Sequence, residues 1–322
     1  MGNLVTSKTW EHFWLNEGFT VYIERKIAQR IHGKKVQHFN SIIGLRALKV
    51  SVDGFKESNH QEYSCLCPNL HGKDPDDCFS SVPYEKGYNL LMYLEGLVEE
   101  SLFERFVKFH VQTFSFASIS TKDFKDNLYI FFAAEGSEFT AILDGVDWDS
   151  WFYSPGMPII DNKFDNSLAV ICESLADEWD QGRSAPGIVD AADSYNTFNS
   201  NQKIMFFEKL LAKEKFDSNT MKAMNEKYHL HDVQNAEIKS RWYQLAIKSV
   251  LIEPTTDFVK NDVLPGLLSF VTSVGRMKFV RPIYKALKNY DLELARDTFR
   301  SHSDFYHPIC RTMVSKDLML EN

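Results

Sequence analysis

Three short segments of the sequence carry residue types that could do chemistry, and the first is EHFWLNEGFTVYIERK. It places Glu17 at the head of an apolar helical pattern, with Glu24 seven residues later on the same helix face. A carboxylate facing an apolar interior is costly unless it is paired or bound to a metal ion. From the residues alone, Glu17 is therefore either a metal ligand or, as is commoner for an acid at a helix start, a cap or salt-bridge partner.

The second segment, DPDDCFSSVPYEKG, combines crowded carboxylates with a predicted helix start. Ser81 followed by Pro83 is typical of a helix N-terminus, which places Tyr84 in the first helical turn. A phenol there can donate a hydrogen bond to an oxygen that gains negative charge during a reaction. The alternative is a tyrosine packed at a helix start with its hydroxyl in water.

The third segment, GRMKFVRPIYKAL, sets Arg276 and Lys278 two positions apart. At a helix start both can point at one anion, because arginine offers a bidentate fork to a carboxylate and lysine a point charge. A solvated basic patch is the alternative, which Lys285 and Lys288 on the same side would extend.

A zinc site needs about three protein ligands and an open position for water. The 322 residues contain no HExxH motif. Cys65, Cys67 and His71 in CLCPNLH could in principle hold a metal, but no fourth ligand follows at a usual spacing, so we expect loop residues. The sequence alone does not assemble a metal site.

Composition excludes several classes of function. Aromatic residues make up 14% of the chain and apolar residues 44%, which indicates a globular protein. A formal charge of −8 disfavours a nucleic-acid-binding protein. There is no apolar run of about 20 residues to cross a bilayer, so no stable membrane association is expected. Five scattered cysteines fit a reducing cytoplasm better than a disulfide framework.

Helical patterns dominate the chain. GFTVYIERKIAQRI predicts a helix with one apolar stripe of residues opposite its arginines and glutamine: Phe19, Tyr22, Ile23, Ile27 and Ile31. An irregular stretch is expected from about Ser51 to Pro83, and Ser120 with Asp123 has capping-box spacing.

Paired helical stripes return in the second half of the chain. We therefore predict a mainly α protein with a partial catalytic domain at 1–152, a linker at 153–164 around SPGMP, and an all-helical stack of the HEAT or armadillo type at 165–322.

Taken together, WLNEGFTVYIERK, SSVPYEKG, SPGMPI and GRMKFVRP resemble the thermolysin-like zinc aminopeptidases, and within them the leukotriene A4 hydrolase family. The resemblance runs over essentially the whole chain and implies that the first domain is the helical lobe of a thermolysin-like catalytic domain. WLNEG marks the wider class, whereas SSVPYEKG with RMKF narrows it.

The resemblance also implies roles for individual residues. Glu17 would be the third ligand of one Zn²⁺ ion, and Glu24 would help to orient it. Tyr84 would stabilise the oxyanion formed from a peptide carbonyl, and Asp76 would guide water to an opened epoxide. Residues that would grip the substrate carboxylate or line an apolar arm of the cleft are Arg276, Met277, Lys278, Phe13, Pro75, Cys78 and Phe79.

Two features depart from the family pattern. Phe79 stands where the nearest enzymes have a tyrosine, which puts control of a lipid epoxide product in doubt. The family motif is HExxH, eighteen residues and then Glu, so matching Glu17 to the final Glu places both histidines and the general-base glutamate upstream of Met1. MGNLVT, which also fits the N-myristoylation pattern, is then explained as the segment after HExxH.

The resemblance therefore implies part of a cytoplasmic zinc aminopeptidase that acts on short peptides and on the epoxide leukotriene A4. The chain is expected to be inactive by itself, because one glutamate does not hold zinc tightly. The alternative is a catalytically dead interaction protein that uses the helical stack as a binding platform.

Overall fold

The computed structural model describes residues 2–190, 192–251 and 257–320, and it divides into two compact units, 1–167 and 168–322. Both units are built almost entirely of helices, which confirms the predicted fold class. None of the helices in these ranges is both long and apolar enough to cross a membrane.

Unit 1 surrounds an aromatic core. Its helices are α1 (Trp14–His32), α2 (Lys34–Glu57), α3 (Val82–Val98), α4 (Glu100–Phe114), α5 (Thr121–Glu135), α6 (Ser137–Asp144) and α7 (Trp148–Tyr153). Two short parallel strands, β1 (Val5–Ser7) and β2 (Ala117–Ile119), pair with Val5 opposite Ala117. The MGNLVT segment thus contributes strand β1, and Val5 lies in the core.

The helix α5 begins as its sequence predicts. The Ser120 side chain accepts from the backbone N–H of Asp123, and the Asp123 carboxylate accepts from the backbone N–H of Ser120. This reciprocal capping box satisfies two of the N–H groups that a helix start leaves unpaired. The start of α5 is therefore fixed next to the start of α1, where the Trp14 indole N–H donates to Thr121 Oγ1 at 2.9 Å.

The predicted apolar stripe of α1 is only partly right. Phe19 and Tyr22 are buried, but Ile27 and Ile31 are 54% and 67% exposed. The buried face instead includes Arg25 and Lys26. Two cations can be buried there because α3 and α4 supply carboxylates to pair with them, which compensates the loss of hydration. Hydrophobic periodicity cannot anticipate such partners.

Helices α1 and α3 approach each other more closely than side chains normally allow. A Cβ atom placed on Gly18 would lie 2.9 Å from the Gly87 Cα atom, and both residues are buried. The contact therefore requires glycine on both helices.

Beside this glycine contact, Arg25 and Glu85 form a buried bidentate ion pair with two N–H···O bonds of 2.8 Å. A Cβ atom on Gly44 of α2 would lie 2.0 Å from a Glu85 oxygen. The ion pair fits between α1, α2 and α3 because Gly44 has no side chain that would clash with it.

The predicted irregular stretch begins later than expected. Helix α2 continues to Glu57, and two short 3₁₀ turns, Gln61–Ser64 and Pro75–Cys78, follow before α3. The expectation of a loop from Ser51 was therefore wrong, because the sequence there still forms helix despite Asp53 and Gly54.

Unit 2 is a stack of helices in which α10 packs against α12, and α12 against α14. Its helices are α8 (Ser167–Gln181), α9 (Ser194–Thr197), α10 (Ser200–Leu211), α11 (Ser218–Tyr228), α12 (Ala236–Ile247), α13 (Leu264–Ser273), α14 (Met277–Tyr290), α15 (Leu292–His302) and α16 (Pro308–Asp317). The predicted pairs of helices are present in this order. One of these helical patterns, TTDFVKNDVLPGLLSFVTS at 255–273, begins outside the described residues and ends in α13.

The glycine contact yields a first prediction. Gly18→Ala should lower the free energy of unfolding by about 1–3 kcal/mol, because the new methyl group can be accommodated only if α1 and α3 separate. Gly96→Ala on α3 is the matched control, since nothing lies within 4 Å of its added Cβ, and it should stabilise by about 0.5–1 kcal/mol through helix propensity. Chemical denaturation would measure both, and equal effects of the two substitutions would contradict the close contact.

Buried His110 yields a second prediction. Its ring is fully buried, stacks on Phe19 at 5.0 Å, and its Nδ1 lies 3.1 Å from Asn127 Oδ1. Burial lowers the pKa of His110 from 6.5 to about 4. The unfolded chain therefore binds this proton below pH 6.5 and the folded chain does not, so stability is lost as pH falls.

Between pH 6.5 and 4 the loss attributable to His110 should approach roughly 3 kcal/mol. Urea denaturation at pH 4.5, 5.5 and 7 would measure it against His110→Gln, which cannot titrate. The variant should show a shallower dependence on pH than the wild-type chain. Identical slopes would refute the assignment to His110.

Candidate functional site

An aromatic pocket in unit 1 gathers five of the residues that the sequence singled out. The cavity has a volume of about 120 Å³ and is lined in part by Phe13, Pro75, Asp76, Cys78 and Phe79. These residues come from two separate parts of the chain, the turn before α1 and the turn before α3. The structure thus brings them together around one apolar space with a carboxylate at its edge.

The turn Pro75–Cys78 is held by local hydrogen bonds. The Asp74 carboxylate accepts from the backbone N–H of Asp76 at 3.0 Å, and Cys78 Sγ lies 3.0 Å from the Pro75 carbonyl oxygen. One of the three crowded carboxylates is therefore a cap. The Asp76 side chain, in contrast, lies exposed at the rim of the pocket.

Tyr84 lies beside this pocket in the first turn of α3, as the sequence predicts. Its ring contacts the rings of Phe13 and Phe79 with centroid distances of 6.2 and 6.3 Å. Phe79 itself is 64% exposed, so a large part of its ring is accessible to a ligand. Both contacts of Tyr84 are edge-to-face, and the two phenylalanine rings lie tilted at 6.4 Å from each other, so the phenol is packed between aromatic neighbours.

Glu17 and Tyr84 are electrostatic neighbours across the contact of α1 with α3. Burial raises the pKa of Tyr84, and the negative charge of Glu17 raises it further. Partial burial also raises the pKa of the Glu17 carboxyl. Within the described ranges, this carboxylate has neither a hydrogen-bond donor nor a cation as partner. Glu17 is thus a half-buried acid at a helix start without the cap or salt bridge that would explain it structurally.

Glu24 lies two turns along α1 from Glu17 and is exposed. In the part of the chain that the structure describes, it makes no hydrogen bond or ion pair through its carboxylate. The expected role of Glu24 in orienting Glu17 stays a prediction.

The described residues do not fit a zinc ion by themselves. No group of three or more histidine, cysteine, aspartate or glutamate side chains is arranged to hold a metal within 2–190, 192–251 and 257–320. Glu17 is a single oxygen donor, whereas zinc needs about three protein ligands.

Cys65 and Cys67 have structural contacts. Cys65 Sγ lies 3.0 Å from the Tyr153 carbonyl oxygen, and Cys67 Sγ lies 3.2 Å from Thr121 Oγ1. Burial raises the pKa of both thiols, that of Cys67 to about 12. Such thiols are poor metal ligands and nucleophiles at neutral pH. His71 lies exposed in the same loop.

Arg276 and Lys278 belong to unit 2 at the start of α14, where Arg276 is the N-cap residue. Both side chains and that of Met277 are exposed. Lys278 forms an ion pair with Glu237 of α12. Further along α14, Lys285 and Lys288 contact Asp317 in α16, and the Lys285 side chain is exposed. The solvated basic patch that the sequence also allowed stays an alternative.

Sequence reasoning missed more than half of the pocket lining. The additional residues are Trp10, Trp14, Tyr63, Cys65, Leu66, Pro68, Val82 and Pro83. Trp10, three residues before Phe13 and 57% exposed, could have been found from this spacing, and the rings lie 5.0 Å apart. Tyr63 and Leu66 carry no such signal, since a loop brings them to the site.

Comparisons with known proteins cover both units. Residues 1–151 match the family described as the peptidase family M1 domain, and residues 198–318 match the leukotriene A4 hydrolase C-terminal family. Leucine aminopeptidase 2 of Emericella nidulans is 44% identical over 321 residues, and that of Ajellomyces capsulatus is 42% identical. Each alignment covers 98% of this chain and 49% of the relative, so the chain spans about half the length of these curated relatives.

Solved structures agree with the sequence matches. Native yeast LTA4 hydrolase superimposes with a TM-score of 0.88 at 38% identity, over 98% of this chain and 51% of that one. A yeast LTA4 hydrolase in complex with bestatin gives a TM-score of 0.81 at the same identity, over 98% of this chain and 52% of that one. The two family matches follow each other in sequence order: residues 1–151 belong to the M1 peptidase domain family and residues 198–318 to the leukotriene A4 hydrolase C-terminal family.

Proposed function

We propose that this chain provides the peptide pocket and the carbonyl-binding phenol of a metallo-aminopeptidase. The observation that carries the proposal is the placement of Glu17 and Tyr84 in the first turns of two tightly packed helices, next to the aromatic pocket. The leucine aminopeptidase relatives and the bestatin complex of a yeast neighbour support a peptide ligand.

Tyr84 would act as a hydrogen-bond donor. Because burial and Glu17 raise its pKa, the phenol stays protonated at neutral pH. A protonated phenol directed by Phe13 and Phe79 can donate to the carbonyl oxygen of a bound peptide, where negative charge develops during hydrolysis. The apolar cavity beside it would take a substrate side chain.

Other parts of the proposal concern substrate and partners. Arg276, with Met277 and Lys278, would bind a substrate carboxylate, and Lys278 would then exchange Glu237 for the substrate. Asp76, exposed at the rim of an apolar pocket, would serve hydrolysis of the lipid epoxide leukotriene A4 as a second activity. The five cysteines are free thiols, which suits the cytoplasm as location.

The proposal assigns to this chain only part of a zinc site. Glu17 would be one ligand of the family's metal ion. The sequence contains no HExxH motif, and the described residues contain no group of three ligand side chains that would supply the other donors. The 322 residues alone are therefore proposed to be inactive.

Metal content and hydrolysis of an aminoacyl-arylamide would test the proposal. The chain alone should contain less than about a tenth of an equivalent of zinc, because one carboxylate does not suffice. Fused to the half of Emericella nidulans leucine aminopeptidase 2 that lies outside the aligned region, it should bind one equivalent and cleave the substrate.

In the fused protein Tyr84→Phe should lower kcat by about 10²–10³-fold, the usual effect of losing an oxyanion donor. Tyr93→Phe is the control, since this ring stacks on Trp151 elsewhere in unit 1. A fused protein that binds zinc and substrate but never cleaves would favour the interaction-protein alternative.

The link between Glu17 and Tyr84 is testable in the chain itself. Glu17→Gln removes one of the two causes that raise the pKa of Tyr84, so this pKa should fall toward its ordinary value. NMR titration of ¹³C-labelled tyrosine rings would measure it. Glu24→Gln is the matched control because this exposed acid lies two turns away and should leave Tyr84 unchanged. Equal shifts in both variants would contradict the proposed pairing.

A further inference from the structure

A buried lysine stands two residues after Tyr84 on α3. Lys86 is 1% exposed, and its ammonium group donates to the carbonyl oxygens of Ser64, Ser154 and Gly156 at 3.0, 2.8 and 2.9 Å. The three N–H groups of the ammonium are thus all used by backbone carbonyls from two separate segments.

No carboxylate forms an ion pair with Lys86 in the part of the chain that the structure describes. Burial lowers its pKa to about 8. A buried charge without a counterion is costly, so its hydrogen bonds to the carbonyl groups must compensate for lost hydration. A hydrogen bond to a charged group contributes about twice as much stability as one between neutral groups.

One of the two segments that meet at Lys86 forms one side of the aromatic pocket. Ser64 lies between Tyr63 and Cys65, which both line the cavity. The backbone N–H of Gly156 donates to Ser64 Oγ at 2.7 Å, and Cys65 Sγ contacts the Tyr153 carbonyl oxygen. Among the described residues of α3, it is Lys86 whose side chain donates a hydrogen bond to the Tyr63–Leu66 wall.

We propose that Lys86 is a positioning residue, which fixes the pocket wall at Tyr63–Leu66 and the segment 154–156 relative to the helix that carries Tyr84. Its significance for peptide binding rests on the proposed function, whereas the positioning itself does not. One ammonium group thereby holds the Tyr63–Leu66 wall of the pocket against the helix on which Tyr84 stands.

Hydrogen exchange measured by mass spectrometry tests the proposal in the full chain. In Lys86→Met, peptides covering 61–67 and 153–158 should exchange at least about tenfold faster, the equivalent of one lost charged hydrogen bond. Lys86→Arg, which keeps the donors, should restore most of the protection.

Lys26→Met is the matched control. Lys26 is also a buried lysine, but it pairs with Glu95 and Glu100 at a distance from the pocket wall. It should lower the overall unfolding midpoint without selective exchange at 61–67. Equal exchange patterns in Lys86→Met and Lys26→Met would reduce Lys86 to a general stabilising residue and overturn the proposal.

The wild-type chain offers a test that needs no variant to fold. The titratable groups facing Lys86 are the thiols of Cys65 and Cys67, whose pKa values burial raises, so the ammonium is the first to lose its proton. After correction for intrinsic rates, protection of 61–67 and 153–158 should fall between pH 7 and 9, and Lys86→Arg should remove this step.

The two failures can be told apart. A pH-independent wall in the wild-type chain would overturn the role of Lys86 whatever the activity of the fused enzyme. A wall that loosens as expected, in a fused enzyme without peptidase activity, would leave Lys86 in place and remove the proposed function.

Discussion

The backbone contact between α1 and α3 is the constraint on which the site depends. Gly18 and Gly87 bring the two helices together at a distance that any Cβ atom would prevent. The neighbouring Arg25–Glu85 pair, with the Arg25 guanidinium 4.2 Å from the Tyr88 ring centroid, fixes the rotation of one helix against the other. Glu17 and Tyr84 lie one and three positions from these glycines, so their separation follows directly from the helix contact.

The buried charged side chains of unit 1 join helices and loops whose relative positions apolar packing alone would not determine. Arg25 joins α1 to α3, Lys26 joins α1 to α3 and α4, and Lys86 joins α3 to two loops. Replacing such pairs by apolar residues often stabilises a protein, so stability alone does not explain them. These charged side chains also have a geometric effect. Their hydrogen bonds form only when the partner groups lie at specific positions, whereas apolar contacts allow many arrangements.

Much of this could be predicted from the sequence where the signal is local. The capping box of Ser120 and Asp123, the start of α3 with Tyr84 in its first turn, and the helical second half all follow from short-range rules. The buried face of α1 could not, because Arg25 and Lys26 are buried by carboxylates about 60 to 75 residues away. Tyr63 and Leu66 reach the pocket by a loop whose path depends on Lys86.

The same distinction applies to the candidate site. Five lining residues were predicted only because family resemblance linked segments that no periodicity connects, whereas Trp10 was visible from its spacing to Phe13. Glu17 differs from an ordinary acid at a helix start. A helix-start acid is ordinarily a cap or ion pair, yet in the described residues its carboxylate has neither, and burial raises its pKa. An acid that is kept partly dry and unpaired beside a protonated phenol is better explained by a ligand than by the fold.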